Sequence, residues 1–166
     1  QPGAGSIVRN KDSCVSHVQL LRYRVVWMMT TLCCLLDAAE VSTLLAAMSH
    51  MLSAEVGADI VVSLQVVNCL NNILELPAFH ISMLEPHVVA LVQNLCLFAV
   101  KIDKSSSSGC EYRATVVGLI ENMIQCMGTR IRPILASVTS YLGQLWSGDD
   151  DSSPLRPAIL SALCIM

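Results

Sequence analysis

The chain has 166 residues, 54% of them hydrophobic and only 14% charged, with a formal net charge of −3. That length suits one core-forming domain, and the charged fraction lies well below the roughly 25% usual for globular domains. A mildly acidic chain without a basic stripe is excluded as a general nucleic-acid binder, since neutralising phosphates needs clustered Lys and Arg.

Residues 1–14, QPGAGSIVRNKDSC, lack the apolar core of a secretory signal and read as a flexible tail. Residues 20–36, LLRYRVVWMMTTLCCLL, place apolar side chains at 21, 25, 28, 32 and 35, the repeating stripe of a helix. A second set at 26, 29, 33 and 36 widens it, so this helix is expected to be buried between neighbours, with Trp27 in the packing. Asp37 opens a break, and a helix over 41–52 follows with 41, 44, 45, 48, 51 and 52 on one face. Gly57 interrupts the chain, and Asp59 is placed to cap a helix over 60–74 with a stripe at 60, 64, 67, 70 and 74. This run of 15 residues is uncharged, but Ser63, Gln65, Asn68, Asn71 and Asn72 interrupt it, so it is no membrane span.

Pro77 ends that helix, and Glu85-Pro86 fits the first turn of the next, whose face is 84, 88, 91, 95, 98 and 102. KSSSSG, residues 104–109, reads as a flexible solvated loop within 103–110. A helix over 111–127 presents 112, 116, 119, 120, 123 and 127, and Gly128 is its stop. The next, over 130–146, carries Pro133 in its first turn and 131, 134, 135, 138, 141, 142 and 145 on one side. SGDDDSSP forms an acidic loop over 147–154, where Ser152 or Ser153 caps a last helix from Leu155.

These helices pair by short turns: 20–36 with 41–52, 60–74 with 84–101, and 111–127 with 130–146. First helices recur at a loose spacing of about 40 residues, the mark of a helical-hairpin solenoid. The expected fold is all-α, an α-α superhelix of HEAT or armadillo type over residues 15–166, with about three and a half repeats. The rival is an up-and-down bundle around one axis.

Chemistry-bearing patterns are sparse. The eight cysteines show no C-x-x-C or zinc-finger spacing and sit mostly in apolar helical runs, as packing residues of a reducing compartment. His17, His50, His80 and His87 are scattered, and no nucleotide-binding, metalloprotease or serine-hydrolase motif occurs. No enzyme, catalytic residue, metal or cofactor is expected. The candidate residues are therefore for binding protein. Asn71, with Asn68 and Asn72, either lines a solvent face or hydrogen-bonds a partner. Arg130 and Arg132 stand at a helix N-terminus, where positive charge opposes the macrodipole and calls for a partner, such as Glu85 or acidic cargo. Asp149, Asp150 and Asp151 either attract a basic segment of cargo or form a solvated loop.

Four stretches carry a family resemblance: YRVVW (23–27), DIVVSLQVVNCLNNIL (59–74), IRPILASVTSYLGQLW (131–146) and LRPAILSAL (155–163). Together they resemble the importin-β superfamily of nuclear transport receptors, and within it the importin eleven-like receptors. The resemblance implies a segment from the middle HEAT repeats of a protein-import receptor that shuttles between nucleus and cytoplasm. It implies cargo proteins as partners, and for the complete receptor Ran GTPase and phenylalanine-glycine nucleoporins. It also implies second helices on the inner surface, Asp59 as the acidic turn residue of a repeat, and Arg24 or Arg113 where its basic partner falls. A HEAT or armadillo scaffold unrelated to transport is the alternative, and neither nucleic acid nor membrane insertion is expected.

Overall fold

Single polar residues set several of the helix boundaries in this chain. A computed structural model describes residues 17–53, 59–77, 79–103, 105–147 and 154–166. Helix α1 (His17–Leu32) runs into a 3-10 turn, Cys33–Leu35, and breaks at Leu36. Asp37 then starts α2 (Ala38–Leu52) through a reciprocal capping box. Its Oδ1 accepts from the amides of Ala39 and Glu40 at 2.9 Å, and Glu40 Oε2 accepts from the Asp37 amide at 2.9 Å. Asp59 caps α3 (Ile60–Leu74) by accepting from Val61 and Val62.

A single turn, α4 (Ile81–Leu84), precedes α5 (Val88–Lys101). Ser106 caps α6 (Ser107–Met127), its Oγ accepting from the Gly109 amide at 3.0 Å. Gly128, at φ +50°, closes α6 in a conformation that side chains rarely adopt. A 3-10 segment, Gly128–Ile134, leads into α7 (Leu135–Ser147), and α8 (Leu155–Ile165) is the last element. Among the described residues there is no strand, and no helix is long and apolar enough to cross a membrane.

The helices pack in two layers with a stacking direction. In one layer α1, α3, α6 and α8 lie side by side in chain order, and in the other α2, α5 and α7 do the same. Each second-layer helix also rests on the following first-layer helix: α2 on α3, α5 on α6 and α7 on α8. The apolar core runs unbroken from Val26 in α1 to Ala162 in α8. Side-chain bonds repeat the same step. In the second layer Ser42 meets His87, Asn94 donates to Ser49, and Arg130 donates to Glu85, each pair 45 residues apart. In the first layer Gln65 donates to Thr30, Asn122 to Asn71, and Ser161 to Glu121, at 35, 51 and 40 residues.

Most expected faces are the buried ones: Val41, Leu44, Leu45, Met48 and Leu52 in α2, and Leu84, Val88, Leu91, Leu95, Phe98 and Ile102 around α5. The first helix departs from expectation. Its anticipated stripe, Leu21, Val25, Met28, Leu32 and Leu35, is exposed, and the second set (Val26, Met29, Cys33 and Leu36) faces the core. Both faces are apolar, and α1 is flanked in its layer by α3 alone, so only one of them is covered. Trp27, expected in the packing, is 55% exposed.

In α3 the buried arc centres on Val62, Val66, Cys69 and Ile73, leaving Ile60 exposed, because α1, α2 and α6 all pack on this helix. Pro86 lies between α4 and α5, outside the first turn of α5. Pro133 sits in the 3-10 segment, not in α7. The Ser-rich loop is shorter than its composition suggests, since α6 begins at Ser107. Asp59 stands between pairs, and the acidic residue at a turn within a pair is Asp37. Pro154 occupies the position before α8, and Ser152 and Ser153 lie outside the described residues.

Two substitutions test these local devices. Asp37→Ala removes the side-chain acceptor of the capping box while leaving the backbone amide that donates to Glu40, and is expected to cost about 1 kcal/mol in urea unfolding. Gly109→Ala places a Cβ against the Asp103 carbonyl oxygen and is expected to lower the melting temperature, whereas Gly118→Ala, with open space around it, raises or preserves it.

Candidate protein-binding surfaces

The sequence-derived candidates divide between register contacts and open surface. Asn71 is half-buried near the end of α3, and its Oδ1 accepts from Asn122 Nδ2 of α6 at 3.2 Å. Its side chain therefore ties neighbouring first-layer helices together. Asn68 and Asn72, on the same helix, are exposed. Arg130 Nη1 lies 3.1 Å from Glu85 Oε2, with the two side chains 53% and 43% exposed. This answers the electrostatic problem set by positive charge at a helix start, although the guanidinium stands in the 3-10 segment that precedes α7. Arg132 is exposed and makes no hydrogen bond or ion pair among the described residues. Asp149, Asp150 and Asp151 lie outside the described residues.

Sequence reasoning missed a polar seam. His87 Nε2 stands 3.1 Å from Ser42 Oγ, and Asn94 Nδ2 donates to the Ser49 carbonyl at 2.9 Å. These pairs join α2 to α5, and their shared separation of 45 residues is the only trace they leave in the sequence. Gln65, buried although polar, donates to Thr30 Oγ1 at 3.2 Å, which explains how α3 carries an amide into its packed face. At the far end Arg156 lies 4.7 Å above the Trp146 ring, holding α8 to α7 by a cation–π contact.

The open surface is mostly apolar and concentrated where adjacent helices diverge. A groove of about 400 Å³ between α1 and α3 is lined by Leu20, Tyr23, Val61 and Val62, with Asp59 at its edge. A larger one, about 550 Å³, lies where the first turn meets the α3–α4 connection and is lined by Leu36, Val41, Leu76, Phe79 and Met83. A third, about 460 Å³, lies between α1 and α2. Among the described residues no group of three or more His, Cys, Asp or Glu side chains could hold a metal ion. Asp103 accepts from the Ser105 amide and hydroxyl, which hold its carboxyl below the usual carboxylate range.

The cysteines behave as packing residues where they are enclosed. Burial pushes the Cys69 thiol up to about 11 and the Cys96 thiol up to about 12. Cys34 and Cys164 are exposed, and Cys14 lies outside the described residues.

No family model, curated protein or solved structure matches this chain. Its surfaces are therefore defined by their own geometry, which yields two expectations. Iodoacetamide at about pH 8 labels Cys34 and Cys164 in the folded protein and spares Cys69 and Cys96 until denaturant is added, as peptide mass spectrometry would show. A double-mutant cycle on Glu85→Gln and Arg130→Gln gives a coupling of at most about 1 kcal/mol that fades with added salt, because the pair is solvated.

Proposed function

We propose that this chain is a helical-repeat protein-binding segment, and that it serves a nuclear transport receptor of the importin-β type. The observation that supports the reading is the stacking of helices in two layers, with side-chain bonds recurring at one fixed step along the second layer. Such a stack offers extended side surfaces and grooves between like helices, suited to holding folded proteins or short peptide motifs by several modest contacts. HEAT repeats are the form of this architecture that the sequence resemblance favours. Cargo proteins are then the partners of the segment, and Ran and nucleoporins those of the complete receptor, moving between cytoplasm and nucleus. A HEAT or armadillo scaffold outside transport shares the same architecture and differs only in partners.

In transport receptors of this kind, phenylalanine-glycine motifs enter grooves between outer helices. The apolar groove between α1 and α3, with Leu20, Tyr23, Val61 and Val62, has the lining that a phenylalanine ring requires. A phenylalanine-glycine repeat fragment titrated into the intact chain is expected to bind and to shift the NMR signals of these residues. Val61→Asp is expected to weaken that binding at least about tenfold while leaving the helical circular dichroism intact, by the desolvation cost of a charge in an apolar groove. No binding of the fragment, together with capture of a vesicle-coat or signalling partner, would favour the scaffold.

A further inference from the structure

We infer that the furrow between the outward sides of α3 and α6 binds an extended polypeptide segment by its main chain, through an array of asparagine side chains. Helix α3 is packed by α1, α2 and α6, and α6 by α3, α5 and α8, so each keeps one side facing out and has a described helix on either flank within its layer. Asn68 and Asn72 stand exposed on that side of α3 and Asn122 on that side of α6, with half-buried Asn71 beside them. Asn71 Oδ1 accepts from Asn122 Nδ2 at 3.2 Å, which ties the two walls of the furrow together. Gly118, about one turn before Asn122, has no side chain to fill the furrow, and a Cβ added there would meet nothing within 4 Å. The inference deepens the reading of the chain as a protein-binding segment and rests on that part of it, not on nuclear transport.

Hydrogen-bonding capacity chooses the occupant. Asn68 and Asn72 make no hydrogen bond among the described residues, and Asn71 Nδ2 and Asn122 Oδ1 are equally unengaged there. A carboxamide offers an acceptor and two donors side by side. The N–H and C=O of one residue in an extended chain point to the same side, so one asparagine can accept from the first and donate to the second. Spacing agrees. Asn68 and Asn72 lie about 6 Å apart along the axis of α3. Residues on one side of an extended chain recur every ~6.7 Å. A segment lying along the furrow therefore meets both asparagines with alternate residues.

Charge narrows the choice further. Helix α3 has no charged side chain, and the one arginine of α6, Arg113, is buried. Phosphate or a nucleic acid would find no cation on the exposed side of either helix. The nearest carboxylate, Glu121, has its Oε1 engaged by Ser161 Oγ at 2.7 Å and by Gln125 Nε2 at 3.4 Å. A neutral polar lining of this kind matches peptide groups, which need hydrogen bonds and no counter-ion. Main-chain bonds supply affinity without reading side chains, so the segment is selected for being extended and unpaired.

The probes are peptides of about 12 residues selected on the intact chain from a random phage-displayed library, synthesised with blocked ends and titrated by calorimetry. Asn68→Ala and Asn72→Ala are each expected to weaken binding about two- to tenfold, and the double variant at least about tenfold. Gly118→Leu, which keeps every asparagine and fills the furrow, is expected to abolish it. Methylating alternate peptide nitrogens is expected to abolish binding in one phase and spare it in the other, a signature that side-chain recognition does not give. Circular dichroism establishes that each variant is folded. These variants leave the α1–α3 groove untouched, so the phenylalanine-glycine titration judges the transport reading separately. Selected peptides that are indifferent to Asn72→Ala or to nitrogen methylation overturn the inference. So does a selection that yields no binding peptide, or capture of maltoheptaose by the same asparagines with no peptide bound.

Discussion

Every helix in this protein depends on apolar surface that it shares with the helices beside it. Helix α3 shows the constraint most clearly. It carries no charge along its length and is packed by α1, α2 and α6, with Val66, Val67, Cys69 and Ile73 wholly enclosed. Alone in water it would expose that arc, at a cost of roughly 1.5–3 kcal/mol for each large side chain. The same holds for α6, whose Val116, Val117, Leu119, Ile120, Met123 and Ile124 are buried among α3, α5 and α8. Stability therefore passes from neighbour to neighbour, and helices at the ends of the stack keep an uncovered side. Helix α1 is apolar on two faces, and Val26 is the one residue of it that is buried.

Apolar contact alone does not fix the register of one pair on the next, because aliphatic surfaces slide at little cost. The polar bridges supply that register. Gln65 on Thr30, Asn94 on Ser49 and Asn122 on Asn71 are each satisfied only when neighbouring helices stand at one offset. For Gln65, which is buried, a slip of one turn would leave the amide without a partner, a penalty of about 1–3 kcal/mol, whereas the Asn94 and Asn122 amides would turn to solvent at smaller cost. Gln65 is the most stringent of these, being buried in the packed face of α3. The solvated Glu85–Arg130 pair repeats the same 45-residue step but enforces it weakly. The faces left uncovered by stacking are the grooves between like helices and the outer side of α1.

Much of the helical layout was legible from residue pattern. Periodicity placed the long helices, and Asp59 and Gly128 marked real boundaries because capping and left-handed closure depend on one residue each. The Asp37-to-Glu40 spacing of a capping box was equally present, and it places the start of α2 at Ala38. Composition misled at residues 104–109, where a run of serines suggests solvent but the first hydroxyls can cap a helix and the rest ride on its opening turn. The inward side of α1 was not legible, because pattern shows that two faces are apolar and not which one meets a neighbour. Of the candidate site residues, the Arg130 partner was foreseeable from charge, whereas the Asn71 partner stands 51 residues away and carries no charge to announce it.

Native-state hydrogen exchange measured by mass spectrometry at high dilution addresses the shared-core account most directly. If stability passes between neighbouring pairs, amides of α1 open first, α8 follows, and those of α3, α5 and α6 are the last to exchange, in separate steps. Exchange of all helices through one common opening, with α1 as protected as α6, would contradict it and point to a bundle around a single core.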